Sequence, residues 1–225
     1  MKRISAILCV IFLCGLLAAC GGPDAAKAGT ESLGIDWSVT PDQVREALKL
    51  PEDALSGGVL TAQGIEAFGG TALKGEFHFL EDSKGQLRLS RVHLIYPDDA
   101  DMAQVRQALE KAFGTPVEQY QEYDHSGVLS TLRASDSLAF WHSSQTVASC
   151  AADPAFPLRE DWQASLDAIS RQDEAVNAGG KLAEFYQQAP AVRLFWTDNG
   201  QIPYIQGDQP KNAVYFDAGM LALMR

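Results

Sequence analysis

The sequence lacks a hydrophobic run long enough to cross a membrane as a helix, and it lacks a surplus of basic residues. Its apolar leading stretch, Ile4 to Leu17, falls short of the roughly 20 residues that a helical span requires. The chain has 18 Lys and Arg against 29 Asp and Glu, which gives a formal net charge of −11. We therefore exclude nucleic acid as a partner, because phosphates need a Lys/Arg surface. We likewise expect no electrostatic attraction to anionic lipid.

Cysteine is also scarce. Of the four cysteines, Cys9 and Cys14 lie in the apolar stretch and Cys20 follows it, so that Cys150 stands alone in the rest of the chain. A single thiol cannot form an intramolecular disulfide, and we expect a hydrophobic core to stabilise the fold. The small apolar neighbours of Cys150 predict a buried residue in or after a strand. A nucleophile or an intermolecular disulfide is the alternative.

The chain begins with the pattern of an export signal. Lys2 and Arg3 precede the apolar stretch, and Leu17-Ala18-Ala19-Cys20 follows it. Residues 1–22 resemble the signal and lipobox of bacterial lipoproteins. The resemblance implies cleavage before Cys20, diacylglycerol on its sulfur and an acyl chain on its new amino group. An ordinary secretory signal cut near Ala19 is the alternative.

The resemblance also implies a cellular location. Gly21 occupies the position where lipoproteins retained in the inner membrane often carry Asp. It therefore implies a lipid anchor in the outer membrane, facing the periplasm, with the inner membrane less favoured. Several acyl chains would anchor the protein stably in the membrane, since each buried methylene contributes about 0.8 kcal/mol to the free energy of membrane binding.

We predict three parts in the chain. Residues 1–19 form a cleaved signal peptide, residues 20–32 a lipidated flexible tether, and residues 33–225 a globular body with a sub-boundary near residues 153–158. Loss of 19 residues leaves 206, and loss of Lys2 and Arg3 changes the formal charge from −11 to −13. A charged partner of this acidic body should therefore be basic.

The body mixes helical and strand-like patterns, which predicts an α+β fold. Thr40-Pro41-Asp42-Gln43 is typical of a helix start. Strands are predicted over residues 73–80 and 86–96, with a bulge near Ser90 where the apolar alternation slips. The remaining predictions are a helix over 102–113 closed by Gly114, strands at 127–134 and 137–149, helices over 162–176 and 181–188, a hairpin of 191–196 with 201–205, and a strand at 213–216.

One sequence pattern recurs. Gln43–Leu48 (Gln-Val-Arg-Glu-Ala-Leu) returns as Gln104–Leu109 (Gln-Val-Arg-Gln-Ala-Leu), and each copy precedes strand-like segments. Two amphipathic helices can share such residues by chance, or the chain contains a duplicated helix-plus-meander unit. With the helix ending Phe113-Gly114-Thr115-Pro116, residues 33–150 resemble the α+β modules of small periplasmic lipoproteins and inhibitors related in fold to β-lactamase inhibitory protein. Leu48-Lys49-Leu50-Pro51 lacks the glycine of that ending. The resemblance implies an antiparallel sheet with helices on one face, and binding more than catalysis.

Few residue clusters point to chemistry. His78 and His93 could lie opposite each other in two strands, and Glu76 nearby would complete a metal site. We interpret them instead as polar residues on the solvent face of a sheet, and we predict no metal and no cofactor. Asp124-His125-Ser126 has the residue types of a hydrolase triad, but adjacent positions point apart, which favours an exposed turn. Asp98, Asp99 and Asp101 lack the glycine and glutamate of a calcium loop, which favours a solvated helix cap.

Aromatic residues are the remaining candidates for a binding surface. They are Phe140, Trp141, Trp196, Tyr204 and Tyr215, although such residues more often pack in a core. We predict a lipid-anchored periplasmic protein, not an enzyme, that binds another cell-envelope component through its sheet face or an exposed edge. The alternative is an inhibitor of a basic hydrolase such as a lysozyme-type enzyme, and a third hypothesis is an envelope hydrolase.

Overall fold

A computed structural model describes residues 33, 36, 38–82, 84–123, 129–156, 158–176, 181–200 and 210–218. The helices are α1 (Pro41–Leu48), α2 (Met102–Phe113), α3 (Val147–Ala152), α4 (Arg159–Val176) and α5 (Lys181–Gln188), with a 3₁₀ turn at Glu52–Ala54. The strands are β1 (Leu55–Ser56), β2 (Val59–Ala67), β3 (Gly70–Glu81), β4 (Leu87–Tyr96), β5 (Gln119–Tyr123), β6 (Leu129–Arg133), β7 (Leu138–His142), β8 (Val192–Thr197) and β9 (Asn212–Ala218). None of these helices combines the length and the apolar composition of a membrane span.

Seven strands form one sheet in the order β1-β2-β3-β4-β9-β8-β7, and β5 and β6 form a second, two-stranded sheet. Every pairing between neighbours is antiparallel. The predicted α+β fold with an antiparallel sheet is confirmed. The last strand, β9, lies in the middle of the sheet, so the C-terminal third of the chain completes the sheet that the first third begins.

Local hydrogen bonds start and end the first two helices as predicted. The Thr40 side chain accepts from the backbone of Gln43, whose side chain accepts from the Thr40 N–H at 2.8 Å. Asp101 caps α2 by accepting from the N–H of Gln104 at 3.0 Å. Gly114, with φ of 81°, ends α2, a conformation that a residue with a Cβ rarely adopts.

The predicted bulge between β3 and β4 is confirmed at Ser90. His78 pairs with Arg91 and Phe79 pairs with Leu89, so that Ser90 is the additional residue of β4. Its hydroxyl donates to the carbonyl of His78 at 3.0 Å. Because the bulge shifts the alternation by one position, the apolar side chains on both sides of it reach the same core.

The structure contains strands that the sequence did not predict, namely β1, β2 and β5. The strand predicted to reach residue 149 ends at His142. The segment that follows is helix α3, because Thr146 and Ser149 cap its first turn with reciprocal hydrogen bonds of 2.9 and 3.2 Å. Strand β8 pairs with β9, whereas the predicted partner segment 201–205 lies outside the described residues. Cys150 is buried as predicted, within α3.

The two faces of the large sheet are covered differently. The helices lie on one face, where their apolar side chains join a core with Phe77, Leu94, Trp141, Trp196 and Phe216. The hairpin of β5 and β6 covers part of the other face and encloses a smaller core. Its buried members are Tyr120, Leu138, Phe140, Phe195, Ala213 and Tyr215.

The recurring sequence pattern coincides with α1 and α2, but the strands that follow the two helices pair differently. After α1, β1 to β4 form a continuous meander in the large sheet. After α2, β5 pairs only with β6 among the described strands, and β7 joins the large sheet beside β8.

Replacement of Phe216 by Ala should lower the free energy of unfolding by about 3–5 kcal/mol, because this fully buried ring fills the centre of the larger core. Urea denaturation followed by circular dichroism measures the change. Leu73 is 60% exposed, so that Leu73→Ala serves as the control and should stay within about 0.5 kcal/mol of the unsubstituted protein. An equal effect of the two substitutions would contradict this packing.

Candidate metal centre

Strand register arranges the side chains of the second sheet face in two rows. Across β7, β8, β9, β4 and β3, the first row consists of His142, Arg193, Asp217, Arg91 and His78. The second row consists of Phe140, Phe195, Tyr215, His93 and Glu76. The β5–β6 hairpin packs on the β7 and β8 side, which is largely apolar. Ionisable side chains therefore concentrate over β9, β4 and β3.

Three of these side chains form a compact cluster. Oε2 of Glu76 lies 3.5 Å from Nε2 of His78 and 3.5 Å from Nδ1 of His93. The three ligand atoms all lie within 4.8 Å of one another, and the two imidazole rings are 4.5 Å apart between centroids. Only 14–22% of each side chain is exposed. We call Glu76, His78 and His93 the His-Glu cluster.

The spacing in the His-Glu cluster matches the spacing of ligands around one metal ion. Zinc binds nitrogen and carboxylate oxygen at about 2.0–2.2 Å in tetrahedral geometry, so neighbouring ligand atoms lie about 3.4 Å apart. The two separations of 3.5 Å from the Glu76 oxygen already have this value. The histidine nitrogens would have to approach each other by no more than about 1.4 Å, which side-chain rotation can supply.

The protonation states in the cluster suit metal binding. Burial alone would raise the pKa of Glu76, but the hydrogen bond and charge of Lys74 together with the two histidines lower this pKa below its ordinary value. Burial, and then the neighbouring charge of His78, lower the pKa of His93 to about 4. At neutral pH the cluster therefore offers a carboxylate and a neutral imidazole, which are the forms that bind metals.

Side chains around the cluster hold it in place. Tyr215 lies directly across from His93 on β9, and their rings meet edge to face at 4.4 Å. Asp217 accepts hydrogen bonds from Arg91 at 3.0 Å and from Arg193 at 3.3 Å. The Asp217 carboxylate partly offsets the charge of these two guanidinium groups beside the cluster, and the charges of Asp217 and Arg91 both act on His93.

The structure brings together the predicted trio but changes its interpretation. His78 and His93 are diagonal neighbours, because Glu76, and not His78, pairs with His93. They lie on the sheet face away from most of the helices, where the sequence interpretation placed them. Only 16% of the His78 side chain and 14% of the His93 side chain are exposed, so both are largely covered by neighbouring side chains. Of the aspartates before α2, Asp101 is the helix cap, as predicted, whereas Asp124-His125-Ser126 lies outside the described residues.

The aromatic candidates do not form an exposed surface. Phe140, Trp141, Trp196 and Tyr215 are buried, with exposures of 0, 2, 1 and 4%. Their prediction as an exposed binding surface is wrong, because their strands lie in the part of the sheet that is covered on both faces. Tyr204 and the lipidation candidate Cys20 lie outside the described residues.

Sequence reasoning missed the charged groups next to the cluster. Asp217, Arg91 and Arg193 are separated by up to 126 positions along the chain, and no spacing pattern connects them. Arg193 also contacts Tyr120 of the β5–β6 hairpin through a hydrogen bond and by lying over its ring. A charged residue in the otherwise apolar strand β8 was the one sequence signal that could have indicated this network.

Comparison of the chain with protein families, curated proteins and solved structures gave no match. The resemblance of residues 1–22 to lipoproteins and that of residues 33–150 to inhibitor-like modules therefore remain predictions. The chemistry of the site follows from its side chains alone.

His142, at the other end of the first row, should make stability depend on pH. Burial lowers its pKa to about 4, whereas an unfolded histidine titrates near 6.5. The unfolded chain therefore binds the proton first as the pH falls, and stability present above pH 6.5 is lost towards pH 4. The contribution lost at pH 5 is about 2 kcal/mol.

Urea denaturation of the protein and of His142→Asn at pH 8 and pH 5 measures this effect. The facing groups from neighbouring elements are Tyr120 and Arg193, and both are present in the two proteins, so the difference between them isolates His142. An identical loss of stability in both proteins would show that His142 is protonated as readily folded as unfolded.

Proposed function

We propose that the protein is a lipid-anchored cell-envelope protein that binds one divalent transition-metal ion through Glu76, His78 and His93. The observation that carries the proposal is the position of a single carboxylate oxygen, Oε2 of Glu76, at 3.5 Å from a nitrogen of each histidine. Three ligand atoms of metal-binding type thus converge on one point between two adjacent strands.

The donor set indicates the class of ion. Two imidazoles and one carboxylate suit zinc, copper, nickel or iron, whereas calcium and magnesium prefer sites made of oxygen alone. Three protein ligands leave at least one coordination position for water or another molecule. The site is thus suited to an ion that contacts a second component.

The scaffold favours specific binding over loose association. All three ligands project from paired central positions of β3 and β4, and sites on strands hold their geometry better than sites on loops. Lys74 occupies Oε1 of Glu76, which leaves Oε2 directed at the histidines. The cluster can therefore bind an ion without rearrangement of the backbone.

Titration of the full-length chain with Zn²⁺ in isothermal calorimetry should reveal one site per chain, and Co²⁺ should give the absorption spectrum of a nitrogen- and oxygen-ligated ion. His93→Asn and Glu76→Gln should each weaken binding by more than about 100-fold, since even outer partners of metal ligands contribute about 10–100-fold.

His142→Asn is the matched control, because it removes a half-buried histidine outside the cluster and should leave the affinity unchanged. Circular dichroism confirms that each variant folds. Zinc binding that survives in both His93→Asn and Glu76→Gln, or no binding by the unsubstituted chain, would refute the proposed site.

The anchoring part of the proposal derives from the sequence of residues 1–22. Cys20→Ser should move the protein from the membrane fraction to the soluble envelope fraction, because the thioether lipid requires the sulfur of this residue. Mass spectrometry of the membrane-bound protein should show the lipid mass on Cys20. Cys150→Ser is the control, and it should leave the protein on the membrane. Mass spectrometry also shows whether residues 1–19 have been removed, because an uncleaved apolar signal would itself hold the variant on the membrane. A Cys20→Ser protein that lacks residues 1–19 and still stays membrane-bound would count against lipid anchoring.

Binding of another envelope component remains part of the proposal. The structure offers an outer edge at β2, of which only Val59 and Leu60 pair with β1 among the described strands, and the exposed Leu73 lies on the neighbouring strand β3. An extended segment of a partner can add to such an edge. Inhibition of a basic hydrolase, the alternative, rests on the negative charge of the chain and on the resemblance of residues 33–150 to inhibitor-like modules.

A further inference from the structure

A cavity of about 310 Å³ opens at the far end of the second sheet face from the His-Glu cluster. Its described lining comes from β5, the end of β7, and the C-terminal end of α5 with the turn that follows. The residues are Gln119, Gln121, His142, Phe185, Gln188, Ala189 and Pro190. This volume lies at the lower end of the range for small-molecule sites, about 300–1,000 Å³.

The described lining of the cavity carries no charged side chain at neutral pH. Burial lowers the pKa of His142 to about 4, so that its imidazole is neutral and offers one donor and one acceptor. Each of the three glutamine side chains adds an amide, whose NH2 group donates hydrogen bonds and whose oxygen accepts them. Such a wall suits a neutral ligand rich in groups that both donate and accept.

Two features show that the wall is preorganised. The turn at Ala189 and Pro190 is held by backbone hydrogen bonds from Val147 N–H to Ala189 at 2.9 Å and from Ala191 N–H to Gln145 at 2.8 Å. The Gln121 amide donates to the Thr131 hydroxyl at 3.2 Å, which fixes this amide and leaves its oxygen to accept. Preorganisation of this kind reduces the entropic cost of binding a ligand.

The His142 ring adds a buried nitrogen that can form a hydrogen bond with a ligand. Its Nε2 is buried and has no hydrogen-bond partner within the described part of the chain, and an unpaired buried nitrogen costs about 1–3 kcal/mol. A ligand hydroxyl in the cavity could supply that partner. Phe185, Ala189 and Pro190 provide apolar surface beside the amides, as the C–H face of a sugar ring and an acetyl methyl group require.

We infer that this cavity binds a neutral, N-acetylated saccharide. Hydroxyl groups would pair with the glutamine amides and His142, the acetamido group with an amide, and the apolar sugar face would lie against Phe185. An anionic ligand would find no cation among the described lining residues, and a purely apolar ligand would displace water from the glutamine amides without replacing its hydrogen bonds. The inference is independent of metal binding and of the lipid anchor.

The cavity and the His-Glu cluster can be tested separately. His142 on β7 and His78 on β3 are four strand spacings apart in the same row, which corresponds to about 19 Å. Substitutions in the cavity should therefore leave zinc binding unchanged, and substitutions in the cluster should leave saccharide binding unchanged.

The test uses the full-length chain in a detergent without a sugar headgroup and the linear trimer of N-acetylglucosamine as the probe. Isothermal calorimetry or saturation-transfer NMR should detect binding of this trimer, with at least tenfold weaker binding of the glucose trimer, which lacks the acetamido groups. Gln188→Leu and His142→Phe should each weaken binding of the N-acetylated trimer at least tenfold.

Gln107→Leu is the matched control, because Gln107 is an exposed glutamine on α2, away from the cavity lining. It should bind the N-acetylated trimer like the unsubstituted chain. Gln188 is exposed, so that its replacement should not disturb folding, and retained zinc binding confirms this. The inference is overturned by absence of binding at millimolar trimer, by equal binding of both trimers, or by unchanged binding in Gln188→Leu.

Discussion

Antiparallel pairing of β9 with β4 on one side and β8 on the other is the interaction on which the rest of the structure depends. It joins β1–β4 to β7–β8 in one sheet, and it places Phe216 opposite Val92 in the larger core. On the reverse face it places Tyr215 beside Phe195 in the smaller core. A strand buried on both faces must be largely apolar on both, and β9 is so except at Asn212 and Asp217. The Asn212 amide donates to the carbonyl of Pro97, and the Asp217 carboxylate accepts from Arg91 and Arg193.

The same pairing creates the surroundings of the His-Glu cluster. The ligands themselves come from β3 and β4, but β9 supplies the ring against His93 and the carboxylate between Arg91 and Arg193. Burial by these neighbours keeps His93 neutral, and Lys74 keeps Glu76 ionised. A solvent-exposed pair of histidines would lack both effects, so the chemistry of the cluster is a consequence of its position in the sheet.

The division of the second face separates the His-Glu cluster from the cavity at His142. The β5–β6 hairpin covers the sheet between them and fills this region with aromatic side chains. The His-Glu cluster lies on one side of that cover, and the cavity at His142 lies on the other. Phe140 and Tyr215, which the sequence offered as binding surface, instead belong to the covered region between the cluster and the cavity. Trp141 and Trp196 lie in the larger core on the opposite face.

Sequence by itself determined the features that arise within a few residues: the capping of α1 and α2, the bulge at Ser90, and the proximity of Glu76, His78 and His93 on a predicted pair of strands. These features depend on hydrogen bonds and alternation between near neighbours, which a local pattern records. Only the tertiary structure decided that β9 enters the middle of the sheet, that Trp141 and Trp196 are buried, and that the histidines are covered. The reason is that Val92 and Phe216 meet across more than a hundred residues, and the free energy of such a contact depends on how the whole chain packs.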